Sequence, residues 1–255
     1  MRTLSLYQEG NSIIHKIDPI TKIIFVLITI LIPIIMGTLN SAFAFLLISL
    51  TLVIIAGVIK KVLPIVGFTS IILVTVIIIQ GLYYFNNRTP FFAIGTVVFY
   101  KEGLLYALEI ILRIYSIINS VSLLMFTTKP SDLVEALVKK GLSPRIGYVF
   151  SSVLQIIPQM MSTVDTIIDA QRSRGMEVEG SFSRRIRAFI PLIGPAVISS
   201  LIDTKERAMA LEVRAFNSRY KKTFLNEGTT FKYADVMQVS LISILIISIV
   251  LRFVH

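Results

Sequence analysis

The sequence predicts an all-α polytopic membrane protein with about five transmembrane helices and two long amphipathic helices held at a membrane surface. Three observations carry that expectation. The 255-residue chain is 55% hydrophobic and 16% charged, with a mean hydropathy of +0.80, outside the range of ordinary soluble domains. Five segments are apolar over the roughly 20 residues needed to cross a hydrocarbon core of about 30 Å. Finally, the stretch from Pro144 to Arg219 runs one design twice: basic residues, an apolar stretch interrupted by proline, a polar and charged stretch, then arginine before a small residue.

The expected spans are Ile20 to Gly37, Ser41 to Ile59, Val62 to Tyr84, Leu104 to Phe126 and Ala234 to Val250. The first lacks a small-residue cleavage site and reads as a span, not a signal peptide. Pro33 and Pro64 are tolerable, because bundled neighbours satisfy the freed backbone groups. Phe91 to Tyr100 is too short to cross and is expected to form an interfacial or re-entrant loop, with Phe91, Phe92, Phe99 and Tyr100 at headgroup depth. Within the fourth span, Glu109 and Arg113 stand four residues apart, where charge is expensive. They form either a salt bridge that steadies the bundle or a contact with a partner, with Gln80, Asn119 and Ser120 as candidate neighbours.

Charge placement orients the spans. Between Thr127 and Tyr233 lie 16 of the 25 basic residues against 10 of the 15 acidic ones, so that segment is expected to be cytoplasmic. Arg2, Lys16, Lys22, Lys60 and Lys61 fall on the same side. The loop with Arg88 and Lys101 and the end with Arg252 and His255 fall outside. The net charge of +10 follows this asymmetry and lacks the interleaved aromatics of a nucleic-acid-binding module, so no nucleic-acid partner is expected. Anionic membrane lipid explains it more simply, with Arg184, Arg185 and Arg187 at headgroup level.

Hydropathy alone would add spans at Ile146 to Met161 and Ile186 to Ile202, but both are short and amphipathic. Ile146, Val149, Phe150, Val153, Ile157, Met160 and Met161 recur at three and four, opposite Ser152, Gln155 and Gln159. Ile186, Phe189, Ile190, Ile193, Val197 and Leu201 repeat the stripe against Ser199, Ser200 and Asp203. Such helices lie along a membrane face or pack on each other; core helices of a cytoplasmic domain would give the same stripe. The two copies end at Ser173-Arg174-Gly175 and Val213-Arg214-Ala215. A terminal arginine followed by glycine suits a capped helix end. A guanidinium at a helix tip also suits a carboxylate-lined groove of a partner.

Catalytic equipment is not expected. The chain has no cysteine, no G-x-x-x-x-G-K-[ST] phosphate loop and no close histidine pair, so neither a cofactor nor a metal is anticipated. Asp165, Asp169 and Asp203 are scattered acids. Asp18-Pro19 fits an N-cap with proline at the first helical position, or a functional motif.

Together these residues resemble the transmembrane T component of energy-coupling factor transporters, a vitamin and transition-metal uptake class of ABC transporters. The paired Ser173-Arg174-Gly175 and Val213-Arg214-Ala215 ends are similar to that family's two coupling-helix motifs. His15 to Lys22 resembles its Leu-Asp-Pro-Arg-Thr-Lys entry into the first span, and Thr127 to Leu137 the opening of its coupling domain. The likeness runs nearly the full length, in order. The departures are Ile20, where arginine is usual, and Ala215, where glycine is commoner. Lacking glycine, the second helix is expected to end poorly and to continue toward Arg219.

The resemblance implies a non-catalytic scaffold: a membrane domain at 1–126, a cytoplasmic coupling domain with two long crossed helices at 127–233, and a last span at 234–255. It implies that Arg174 and Arg214 enter grooves on two ABC ATPase subunits, a homo- or heterodimer. Ile157, Met160, Met161, Ile193 and Val197 would then face a membrane-embedded substrate-binding S component, in a bacterial cytoplasmic membrane. The alternatives are a conventional ABC permease subunit, with one short coupling helix, and an integral-membrane lipid-processing enzyme, which would cluster acids or histidines at the interface.

Overall fold

The structure, a computed structural model, describes residues 7–10, 12–94, 97–175, 182–216, 218 and 234–254. Ser181 and Arg219 fall outside those residues, as do Arg2, His255 and the side chains of Arg184, Arg185 and Arg187. A short 3-10 turn at Ile13–Lys16 precedes α1 (Pro19–Met36), α2 (Leu39–Ala56) and α3 (Ile59–Tyr83). Strands β1 (Pro90–Ile94) and β2 (Val97–Tyr100) follow, then α4 (Lys101–Thr127), α5 (Pro130–Lys139), α6 (Pro144–Ser173), α7 (Phe182–Val213) and α8 (Ala234–Val254). Two compact units emerge, one of Ser5–Gly141 with Gly228–His255, the other centred on Leu142–Glu227.

Among the described residues of the first unit, five helices are long and apolar enough to cross a membrane: α1, α2, α3, α4 and Ala234–Arg252 of α8. They coincide with the five expected spans, because an uninterrupted apolar run of that length can satisfy its backbone only as helix. α4 packs against α1, α2 and α3, and α8 packs against α1. Small hydroxyl residues let the helices approach closely: Ser49, Ser116 and Ser120 are fully buried. Each donates to a carbonyl of its own helix, at Leu46 (3.0 Å), Arg113 (2.8 Å) and Ile117 (3.0 Å), which removes the cost of burying them. One end of the bundle closes over an apolar cluster of Ile14, Val53, Ala56, Val58, Val62, Leu123 and Phe126. Elsewhere the outward faces are apolar and exposed, as at Phe68 and Ile71.

The segment expected as a loop is instead an antiparallel β-hairpin, β1 on β2, with Phe92 opposite Phe99. Those two rings stack with centroids 4.7 Å apart. β-branched and aromatic residues favour a pleated ladder, and cross-strand ring pairs stabilise it. Glu102 ties the base: it accepts from the Thr89 hydroxyl at 2.6 Å and from the backbone N–H groups of Arg88 and Thr89.

The second unit is built on α6, of 30 residues, and α7, of 32. Among the described residues, neither is one of the helices long and apolar enough to cross a membrane. Pro158 sits inside α6 without ending it.

Candidate functional site

Each long helix stops in a defined geometry. At the end of α6, Arg174 and Gly175 donate from their backbone N–H to the carbonyls of Gln171 (3.0 Å) and Arg172 (2.9 Å). Gly175 takes φ of 84°, the left-handed conformation that glycine adopts without a Cβ clash. Ser173 Oγ donates to the Asp169 carbonyl at 3.0 Å, and Arg172 pairs with Asp169 at 3.9 Å. Asp169 is thus served by Ser173 at its carbonyl and by Arg172 at its carboxylate, and the carbonyls of Gln171 and Arg172 by the backbone N–H groups of Arg174 and Gly175. Arg174 is exposed and has no ion pair among the described residues.

At the end of α7 the expectation fails, and informatively. The helix does not run on toward Arg219 but stops at Val213. Ala215 takes φ of 54°, the only positive φ outside glycine among the described residues. Its N–H reaches the Glu212 carbonyl at 2.9 Å, and the Phe216 N–H reaches back to Leu211 at 3.0 Å, the two bonds of a Schellman-type closure. Phe216 then sets its ring 5.1 Å from that of Tyr148 on α6. A left-handed alanine costs roughly 1–2 kcal/mol; two backbone bonds and an aromatic contact overrule it. Arg214, like Arg174, is exposed and unpaired among the described residues.

Tyr148 near the start of α6 meets Phe216 beyond the end of α7. Further along, Gln159 of α6 meets Asp203 and Arg207 of α7. The helices therefore run antiparallel at their contact. Arg214 lies beside the start of α6, whereas Arg174 stands at its far end, about 40 Å of helical rise beyond Tyr148. The two arginines point from opposite ends of one pair of helices.

The apolar stripes are largely uncovered. Ile157, Met160, Met161, Ile193 and Val197 are 41–58% exposed. Five medium-sized apolar side chains in that state are a surface built to meet something apolar. The side chains of Ile186, Phe189 and Ile190 lie outside the described residues.

In the membrane unit, Arg113 and Glu109 pair with each other, both side chains mostly buried. Gln80, Asn119 and Ser120 do not join them. Asn119 instead lines a separate cavity of about 170 Å³, and Arg113 Nε is buried without a hydrogen-bond partner among the described residues. Glu109 also borders a cavity of about 560 Å³ with Tyr84, Asn86, Arg88, Glu102 and Tyr106.

Pro19 begins α1 as expected, but Asp18 makes no side-chain cap. Its Oδ2 accepts from Nε2 of Gln238 on α8 at 3.2 Å, so the carboxylate ties two spans together. Sequence reasoning missed Gln159 and Gln238 as organising residues, and took Lys22 for an orienting charge and the end of the His15 to Lys22 entry stretch. For Gln238 the available signal was a lone amide inside an apolar span; Gln159 shares the polar face of α6 with Gln155 and had no comparable signal.

Comparison with known proteins agrees with this architecture. The family model described as CbiQ, cobalt transport protein, matches residues 10–224. The chain is 30% identical over 247 residues to the energy-coupling factor transporter transmembrane protein EcfT of Ruminiclostridium cellulolyticum, spanning 88% of this chain and 87% of that one. Its likeness to the protein of the same description from Streptococcus equi subsp. equi is 31% over 259 residues, 95% and 93% of the two chains. For that of Staphylococcus aureus it is 32% over 232 residues, 85% and 84%.

Proposed function

The chain belongs to the family described as CbiQ, cobalt transport protein, and is a non-catalytic transmembrane component of an energy-coupling factor transporter; from that premise we propose that Arg174 and Arg214 are its contact points with two ABC ATPase subunits. The observation that carries this reading is the matched pair of helix ends. Each presents an exposed arginine beside a left-handed terminator, and neither arginine has an ion-pair partner among the described residues. Their placement at opposite ends of α6 and α7 suits two receptors that stand apart. A guanidinium fork entering a carboxylate-lined groove forms a charge-assisted contact that a flexible lysine reproduces poorly.

On this reading residues 127–233 face the bacterial cytoplasm with the N-terminus, as the excess of basic residues there supports. Residues 1–126 and 234–255 anchor them in the cell membrane. ATP binding closes the ATPase pair and draws the two helix tips with it. The uncovered apolar faces around Ile157, Met160, Met161, Ile193 and Val197 hold a membrane-embedded S component, whose tilting or release delivers a vitamin or transition metal. Glu109 and Arg113, paired with each other, steady the bundle.

Arg174→Ala together with Arg214→Ala tests the reading. Removing one partner of an interfacial charge pair costs about 2–5 kcal/mol, so each change should weaken ATPase association about thirtyfold or more. The expected result is membrane insertion with loss of co-purifying ATPase and of ATP-driven uptake. Full transport by the double variant would sink it.

A further inference from the structure

α5 lies between the last residue of α4 and the start of α6, and polar contacts from two spans grip it at both ends. Lys22, in the first turn of α1, is buried to 5% exposure. Its Nζ donates to the Thr127 carbonyl and to Thr128 Oγ1, both at 3.1 Å. These residues close α4 and lead into α5, so the ammonium sits where the negative end of the α4 dipole favours a cation. At the other end, Lys140 follows directly on α5, and its Nζ donates to Gln238 Oε1 of α8 at 3.1 Å. It also lies 3.7 Å from Asp235.

Gln238, buried to 8% exposure, uses its amide N–H groups on Asp18 Oδ2 and Thr21 Oγ1, both at 3.2 Å. Lys22 and Gln238 each have at least two hydrogen-bond partners in this network. Losing one partner would leave a buried donor or acceptor unsatisfied, which makes the connection stiff.

We infer that Lys22 and Gln238 are positioning residues that lock α5 to α1 and α8, so that α5 works as part of the membrane bundle and delivers force from the coupling helices into those two spans. The inference rests on the coupling reading above. It explains why Asp18 leaves its own helix end uncapped: the carboxylate is used to hold Gln238.

The chain has no cysteine, so a Lys140→Cys, Gln238→Cys pair can be bridged selectively with a short bis-maleimide. The test uses the complete transporter in liposomes, reading ATP hydrolysis and uptake together. Without the bridge, and separately in Lys22→Met, uptake per ATP should fall roughly fivefold or more, the low end of coupling between linked sites. Hydrolysis should persist. Bridging the cysteines should restore uptake, because α5 and α8 are not required to part during turnover. Wild-type uptake per ATP in the unbridged pair, or failure of the bridge to restore it, would overturn the inference. Should Lys22→Met fail to fold, the cysteine pair carries the test alone. Failure of the arginine reading would show elsewhere, as intact uptake in the Arg174→Ala, Arg214→Ala control.

Discussion

Arg207 on α7 donates from Nη2 to Oε1 of Gln159 on α6 at 2.6 Å. The same amide donates from Nε2 to Asp203 Oδ2 at 3.4 Å. Asp203 and Arg207 are one helical turn apart, so a single glutamine spans a cation and an anion and joins the two long helices. Gln159→Leu should weaken that junction by about 1 kcal/mol, the usual net value of such a bond at a partly exposed site. A double-mutant cycle with Arg207→Met, read by thermal unfolding, should give a non-zero coupling energy. Strict additivity would show that the bond contributes nothing.

Ala215→Gly should stabilise the end of α7. Alanine at φ of 54° is strained by roughly 1–2 kcal/mol, partly offset by the greater unfolded-state freedom of glycine. A net gain of about 0.5–1 kcal/mol is expected. Ala215→Val should act in the opposite direction. A lower thermal midpoint for the glycine variant would contradict the left-handed closure.

Gly103→Ala should be among the most damaging single-methyl changes in the membrane unit. A Cβ at Gly103 would run into the backbone carbonyl of Gln80 on α3 and come within 3.0 Å of Asn87 Oδ1. Overpacking of that kind costs about 1–3 kcal/mol or more when the neighbour is backbone. Gly67→Ala is the control, since nothing lies within 4 Å of its added Cβ. The measurement is the thermal midpoint of the detergent-purified chain, and equal midpoints for both variants would refute the close approach of α3 and α4.

The N-terminal turn should loosen in mild acid. His15 Nε2 donates to the Gln8 carbonyl at 3.2 Å, and Nδ1 accepts from the Ser12 hydroxyl at 2.7 Å, an arrangement made by the neutral ring. Burial pushes the His15 pKa below its ordinary 6.5, and the Lys22 cation adds to this against the raising effect of the Gln8 bond. A histidine whose folded pKa is depressed takes up protons more readily unfolded. Its contribution to stability is therefore present above 6.5 and is lost as pH falls from there toward the folded value. Amide protection over residues 8–16, measured relative to the intrinsic exchange rate at each pH, should fall in that range in the wild type and stay level in His15→Asn. A loss of protection of equal size in both would remove His15 as the cause.

The five spans, the two arginine ends and the amphipathic character of the helices behind them were legible in the sequence. Each depends on quantities local to the chain: apolar run length, the period of apolar residues and the placement of basic ones. Local pattern also located the hairpin segment at Phe91 to Tyr100, but not its form, because strand pairing depends on which ring meets which across the turn. Asp18 reads as a cap beside Pro19 until Gln238, 220 positions away, takes its carboxylate. Lys22 reads as an orienting charge until Thr127 and Thr128 close over it. Ala215 reads as a weak stop until Phe216 docks on Tyr148. Tertiary structure alone decided these three, since in each case a distant partner supplies the energy that overrules the local preference.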